Sequence, residues 1–458
     1  MTSQRKAVIK YLRHYSTLKS PQHLSLPHRI QANGRRQTYQ QAVVIPAFDE
    51  SPGFLERLAQ LSVSQRSLVI VVINAPRYAT SSAIRNTQQL IQHINQHAGI
   101  ENVSEGVTFG QLNSGLDLLS LDITAERPRW LKPLQSGVGF ARKVGMDTAV
   151  SLWQQGHLAN PWVLSTDADV CWPADYLACV SAPATEPGAV VLNFRHQRSC
   201  TDKSLSAAAA LYDMSLRYYV LALRWAGSPW AYHTVGSTLG IHCESYCDVR
   251  GFPVREAGED FYLLNKLAKT ATIHCPATPV LALSDRISER VPFGTGPAVK
   301  RISEQPDAEQ EVLFYHPDIF ALLKHWHHCI TLLDGGENNL ATLTDSLPVP
   351  LAEGLQALGL ARAITHCQRQ ASGGAQAAHY LWQWFDGFRT LKLIHWLRER
   401  GYPSMSYRSW CEMLRNNRIE WIPCQKDVAR EEMAKDPVSL SRYLAVLETN
   451  TLPYRGGL

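Results

Sequence analysis

The sequence predicts an α/β chain: a twisted mixed sheet with helices on both faces, followed by an all-helical C-terminal domain. Three observations carry this. From Gln41 onward, short β-rich runs alternate with helical segments, the pattern of a sheet covered by helices. The run from Leu68 to Ile73 is continuously apolar and mostly β-branched, as a strand buried on both faces must be. After roughly Pro297 such runs give way to long Leu-, Trp- and His-rich stretches at helical spacing.

The elements follow in order. A strand from Ala42 to Ile45 ends at Pro46, and apolar residues at helical spacing in Gly53-Phe54-Leu55-Glu56-Arg57-Leu58 predict a helix. With the strand Leu68 to Ile73 they complete one βαβ unit. A polar helix around Thr80 to His97, an extended stretch from Leu116 to Ile123, a helix from about Phe140 to Gln155 and a short strand Trp162 to Ser165 come next. In the C-terminal part, Asp318 to Leu333, Leu351 to Gln368 and Gln376 to Arg400 read as helices. The organisation is an N-terminal arm (1–40), a sheet domain (41–300) and a helical accessory domain (301–458), in keeping with 458 residues being too many for one core.

Composition excludes the disordered, collagen-like and coiled-coil classes, with 45% apolar, 19% charged and 9% aromatic residues. Net charge is +5, yet the first 40 residues hold eight Lys/Arg and no acid, so the remainder sums to −3 (5 − 8). That arm, with Arg5, Lys6, Lys10, Arg13, Lys19, Arg29, Arg35 and Arg36, reads as a solvated tail or as a peripheral contact with an anionic membrane surface. No nucleic-acid partner is expected. Ten cysteines without a CxxC pair and an N-terminus without an apolar leader core place the expected location in the cytoplasm, at most attached to the inner face of a membrane. The apolar stretch Leu205 to Ile241 is broken by Asp213, Arg217, Arg224, Gly227, Pro229 and Gly236 and does not span a bilayer.

Ligands in such sheets bind beyond the carboxyl ends of the strands. Ala47 to Glu50, Asn74, and Asp167 with Asp169 should therefore line one crevice. The sharpest motif is Asp167-Ala168-Asp169, two carboxylates one residue apart at a strand end. They offer hard oxygen ligands to Mg²⁺ or Mn²⁺ bridging phosphates. Upstream, Gly137-Val138-Gly139 opens a helix whose first turn carries Arg142 and Lys143. Free backbone N–H groups and cations there suit a diphosphate, although a tight turn with a solvated basic edge fits the same residues. Downstream, Gly258-Glu259-Asp260 places two acids at the start of an amphipathic helix. That is a common dipole-favoured arrangement, and together with the aspartate pair it is what cation-assisted transfer with a separate general base requires.

The order Val43-Val44-Ile45-Pro46-Ala47-Phe48-Asp49-Glu50, Gly137 to Gly145 with Ala141-Arg142, Asp167-Ala168-Asp169, then Gly251-Phe252 and Gly258-Glu259-Asp260 resembles the family 2 glycosyltransferases, over about residues 41 to 290. The resemblance implies a GT-A-type, Rossmann-like sheet and inverting transfer of a sugar from a nucleotide-diphosphate donor to an acceptor hydroxyl. By the family's pattern Pro46 and Ala47 line the nucleotide site, Asp167 approaches the ribose and metal region, and Asp167 with Asp169 hold Mn²⁺ or Mg²⁺; Asn74 and Arg142 are expected as further donor contacts. Asp260, with Glu259 beside it, is then the catalytic base. Two positions depart from the pattern. Ile73-Asn74-Ala75-Pro76 stands where relatives end a strand in two aspartates, and Lys143 replaces an Asn that often follows the Arg. Asn74 both donates and accepts, so it remains able to read a base.

His274 and Asp285 are candidates for a third metal ligand. The loop around Arg286 and Arg290, ahead of Gly294-Thr295-Gly296, suits closure over a diphosphate, capture of an anionic acceptor, or plain solvation. His325, His327, His328 and Cys329 share a helix, where packing is the expected role and a zinc site the alternative. Tyr380, Trp382, Trp384, Phe385, Phe388 and Trp396 are expected in the helical core, with stacking on a sugar or insertion at a membrane surface as the alternatives. The competing functional classes are a sugar nucleotidyltransferase, disfavoured by the absence of a Gly-rich, Arg-containing loop after the first strand, and a non-catalytic sugar-nucleotide-binding or scaffold protein.

Overall fold

The computed structural model describes residues 3–19, 31–32, 35–36, 38–61, 63–76, 79–97, 99–124, 131, 137–179, 188–197, 203–286, 294–336, 339–340, 342–423 and 436–458. They form two compact units, one of residues 1–197, 234–284 and 288–294, the other of residues 198–233, 285–287 and 295–458. The sequence sets one boundary near residue 300. The second unit's long stretch starts at Thr295, and this unit also takes in 198–233. The reason is local: Leu211, Met214, Tyr218, Leu221 and Ala222 put apolar surface on several faces of one helix, which buries among other helices.

The first unit begins with α1 (Ser3–His14), then β1 (Gln41–Ala47), α2 (Gly53–Ala59), β2 (Ser67–Ile73), α3 (Ser81–Gln96), β3 (Ile100–Ser104), β4 (Val107–Asn113), β5 (Leu116–Asp122), α4 (Val138–Gln154), β6 (Trp162–Ser165), β7 (Ala189–Val191) and β8 (Asn193–Gln197). After α5 (Lys203–Trp225) of the second unit, it resumes with β9 (Leu239–His242), α6 (Cys243–Asp248), α7 (Glu259–Leu267), β10 (Ile273–Cys275) and β11 (Val280–Ser284). The sheet order is β10-β7-β9-β6-β1-β2-β5-β4-β3. Its centre β6-β1-β2-β5 is parallel, whereas β9 runs antiparallel to β6 and β7, and β4 antiparallel to β5 and β3.

Every residue of β1 and β2 is buried, which accounts for their unbroken apolar runs. Pro46 does not end β1 but lies within it, opposite Val72. The Val44 carbonyl accepts from Thr166 N–H on one side, and the Ala47 carbonyl accepts from Asn74 N–H on the other. By alternation the nitrogen of Pro46 faces the β6 side, where pairing has stopped at Val44, so no ladder donor is lost. The polar strands β3 and β4 form a partly exposed edge.

Helix α4 is buried from Gly139 to Leu152. A Cβ at Gly145 would overlap Val44 Cγ1 and stand 3.1 Å from Val72 Cγ2, so only glycine lets this helix lie so close on the sheet. The N-terminal residues are not a free tail throughout: Val8 and Tyr11 of α1 are buried. The Tyr11 hydroxyl donates to Asp147 Oδ1 at 2.5 Å and the Thr17 N–H to Asp147 Oδ2 at 2.6 Å, fastening the N-terminus to α4. Lys6, Lys10 and Arg13 remain exposed or partly so along α1.

The second unit contains α5, α8 (Thr295–Ser303), α9 (Pro317–Asp334), α10 (Val349–Ala357), α11 (Leu360–Gln370), α12 (Gly374–Trp384), α13 (Gly387–Arg398), α14 (Tyr407–Arg415) and α15 (Pro437–Thr449) around one apolar core. Phe385 is buried in that core, and Tyr380, Trp382, Trp384 and Trp396 pack against it. A buried charge network ties α5 to α15: Arg217 donates to Asp213 Oδ2 at 2.8 Å and to Glu448 Oε2 at 2.7 Å. Among the described residues no helix is long and apolar enough to cross a membrane.

Candidate active site

In the parallel centre of the sheet, Ala47 pairs with Ile73 and Ile73 with Asp122, while Ser165 pairs with Val44. The carboxyl ends therefore share one edge, and residues just past them, Asn74, Thr166 and Asp167, meet there. Strand order reverses between β1 and β6: the chain moves outward from β1 to β2 and β5, then returns to place β6 on the other side. This is the topological switch point at which open α/β sheets bind ligands.

Ala47 ends β1 at this edge, with Pro46 the paired residue before it. Behind them the turn takes Asp49 into a left-handed conformation at φ 54°, held by Thr87 Oγ1, which accepts from the Asp49 N–H at 3.0 Å, and by Asn86 Nδ2, which donates to Asp49 Oδ1 at 2.8 Å. Asn74 is buried, and among the described residues its Oδ1 has no hydrogen-bond partner. A buried acceptor left unpaired costs about 1–3 kcal/mol, which a ligand donor would recover.

Arg142 does not present its charge to a ligand as its place in a first helical turn suggested. It is 3% exposed, and its guanidinium donates from Nε to Glu259 Oε1 at 2.9 Å, from Nη1 to Ser165 Oγ at 2.8 Å and from Nη2 to Asp167 Oδ1 at 2.6 Å. Burial disfavours its charge, but Asp167, Glu259 and Asp260 outweigh burial and hold it firmly protonated. Lys143 likewise turns inward, donating to the Tyr11 hydroxyl at 2.6 Å and lying 3.6 Å from Asp147 Oδ1. Helix spacing shows that a cation sits in a first turn, but not which way it faces.

Asp167 has 38% of its side chain exposed. The loop that carries it is braced by Arg57 Nη2 donating to the Ala168 carbonyl at 2.7 Å, and by Trp172 Nε1 donating to Thr166 Oγ1 at 3.0 Å. Two carboxylates one residue apart are a hard-oxygen donor set that fits a cation retaining water and phosphate ligands. Among the described residues no group of three or more His, Cys, Asp or Glu side chains is placed to hold a metal; His274 is half-buried on β10, and Asp285 belongs to the second unit.

Glu259 is 4% exposed and bound to Arg142. Asp260 follows Gly258, whose φ of 74° turns the chain into α7. One Asp260 oxygen accepts from the Phe261 N–H at 2.7 Å. Burial and then the neighbouring Glu259 push its carboxyl up to about 7, against the Phe261 N–H, Arg142 and the Gly236 N–H. A carboxyl near neutrality in a crevice is suited to proton transfer.

Arg286 is exposed and belongs to the second unit, and Arg290 lies outside the described residues. The four-residue His/Cys group divides: Cys329 is buried in the apolar core and His328 is exposed. His327 is buried, donating from Nδ1 to the Ala226 carbonyl at 2.7 Å. Ser165 and Gly236 were not legible as site residues. Ser165 closes an apolar strand, and Gly236 matters because a Cβ there would stand 2.8 Å from Arg142 Nη2.

No family model matches the chain, and no curated protein matches it. Among solved structures, the chain is similar to a crystal structure of S. aureus TarS 1-349 at 12% identity and a TM-score of 0.33, covering 76% of this chain and 90% of that one. It is also similar to S. aureus TarS 1-349 in complex with UDP-GlcNAc, at 12% identity and a TM-score of 0.35, covering 80% and 99%. Both scores lie below 0.5, so the functional reading stands on the site's own geometry.

Proposed function

We propose that this chain is an inverting glycosyltransferase of the GT-A, family 2 type, moving a sugar from a nucleotide-diphosphate donor to an acceptor hydroxyl. The observation that carries the reading is the gathering of Asp167, Glu259 and Asp260 around one buried guanidinium, Arg142, at the switch point of the sheet. Pro46, Ala47 and Asn74 would receive the nucleoside, and the unpaired Asn74 Oδ1 would accept a hydrogen bond from the base.

Asp167 and Asp169 would hold Mn²⁺ or Mg²⁺, which when bound offsets the charge of the diphosphate. Arg142 fixes Asp167 on one side and Glu259 on the other, which keeps Asp260 at a set distance from the donor site. Asp260 in its carboxylate form removes the acceptor hydroxyl proton as that oxygen bonds to the anomeric carbon. The bond from that carbon to the diphosphate oxygen breaks, its electron pair leaving with the nucleoside diphosphate. One displacement inverts the configuration.

The test is nucleoside diphosphate release from a panel of nucleotide sugars offered with hydroxyl acceptors. Turnover by the native chain and its loss in Asp260→Asn support the reading. A native chain inactive with every donor, or an Asp260→Asn variant as fast as the native chain, contradicts it.

A further inference from the structure

We infer that the helical unit carries a binding cleft for a neutral saccharide, built from α9, α12 and the segment around Tyr454. The cleft has a volume of about 490 Å³ and is lined by Trp382, Tyr454, Asp334, His379, Arg455 and Arg224, together with Gly227 to Pro229. That volume lies within the range of small-molecule sites.

The two aromatic rings are held before any ligand arrives. The Tyr454 hydroxyl donates to the Ser228 carbonyl at 2.7 Å, and the Arg224 guanidinium lies 4.8 Å from the Tyr454 ring centroid. Arg224 is itself fixed, donating to Thr451 Oγ1 at 2.5 Å, to the Ala231 carbonyl at 3.3 Å and to Glu448 Oε1 at 3.5 Å. The Trp382 ring lies 5.1 Å from that of the buried His327. Rings immobilised in this way offer flat, electron-rich faces to the C–H face of a sugar ring without further ordering cost.

The polar side chains select the ligand class. Asp334 ends α9, where the helix dipole disfavours an anion. Neither Asp334 nor Arg455 has an ion pair among the described residues, and both are exposed. An acid against its local preference and an unused guanidinium, both lining one cleft, are the acceptor and donor that vicinal hydroxyls engage together. Arg224 is offset by Glu448, and Asp334 offsets Arg455. The lining is thus close to neutral and provides no surplus positive charge for a phosphate or nucleotide. Binding does not depend on the transfer reading. If that reading holds, the cleft retains a saccharide acceptor or product near the enzyme.

The experiment is saturation-transfer NMR on the full chain with maltose, cellobiose and N,N′-diacetylchitobiose. Saturation should reach ring protons of at least one of them. Asp334→Asn and Arg455→Gln, both surface changes that leave the melting temperature unchanged, should each weaken its affinity by about tenfold, the loss of a hydrogen bond to a charged group. Trp382→Ala should abolish it. Absence of transfer from all three sugars, or an affinity unchanged in the Asp334→Asn/Arg455→Gln double variant, overturns the inference. Asp260→Asn must keep the saccharide affinity. Cleft-dependent saccharide binding without nucleotide-sugar binding defeats only the transfer reading, and nucleotide-sugar binding without cleft-dependent saccharide binding defeats only this one.

Discussion

Arg142 on α4 and Glu259 on α7 are joined by a 2.9 Å ion pair from which solvent is almost wholly excluded. Because the same guanidinium bonds Asp167 at 2.6 Å, the pair couples the acid that starts α7 to the acid that follows β6. Arg142→Ala leaves Glu259 as a buried, unpaired carboxylate, and removal of one partner of such a pair costs about 3–5 kcal/mol. Urea unfolding of Arg142→Ala, Glu259→Gln and the double variant should show the double loss smaller than the sum of the single losses. Strict additivity would mean that the pair is not coupled.

Asp260 sets the expected pH dependence. Its carboxyl is pushed up to about 7 by burial and by Glu259, and only the ionised form accepts a proton, so kcat/KM should climb with pH and level off above about 7. Asp260→Asn should remove that limb and lower turnover by about 10²–10⁴-fold. The stability effect has the opposite sign. The folded chain holds this proton more tightly than the unfolded chain, so the contribution is full below the ordinary aspartate range and is lost as pH rises to about 7. Urea midpoints of native and Asp260→Asn protein across that window should converge toward low pH and separate toward neutral pH, with the variant the more stable.

Gly145 should tolerate no side chain. Its position against Val44 and Val72 makes Gly145→Ala an overpacking change costing about 1–3 kcal/mol, despite the better helix propensity of alanine. Thermal unfolding of the variant at or above the native midpoint would refute the close helix-on-sheet contact.

In the helical unit, Glu448 resists protonation. Burial alone would raise its carboxyl, but His233, Arg217 and Arg224 outweigh it and hold the group down to about 2. Its stabilising contribution is therefore present above the ordinary glutamate range and is lost as pH falls toward 2. Glu448→Ala should destabilise this unit by about 3–5 kcal/mol at neutral pH, and the gap from native protein should narrow in acid. A gap independent of pH would remove the ionised Glu448 from the network.

Much of the fold was legible because burial writes itself plainly into strands covered on both faces. The run Leu68 to Ile73 and the run Trp162 to Ser165 correspond to observed strands, and Thr80 caps the helix expected from it, accepting from the Ala83 N–H. The edge strands Ile100–Ser104 and Val107–Asn113 carry polar residues and lack a clean alternation, so nothing in the pattern singles them out. Side-chain direction was the larger gap. Arg142 and Lys143 read as ligand-facing cations until their partners, 117 and 132 positions away in sequence, are seen. Long-range pairing of that kind leaves no periodic trace.

The central claim is cation-dependent binding of a nucleotide sugar at the crevice that holds Asp167 and Asp169. Its most direct test is thermal unfolding of native protein and Asp169→Asn against nucleoside diphosphates and nucleotide sugars, each with Mn²⁺, with Mg²⁺ and with EDTA. Ligand that binds only the folded chain must raise the melting temperature. The account predicts a rise for one nucleotide class with Mn²⁺ or Mg²⁺ that disappears with EDTA and in Asp169→Asn. No rise for any donor, or one equal with cation, with EDTA and in the variant, would contradict it.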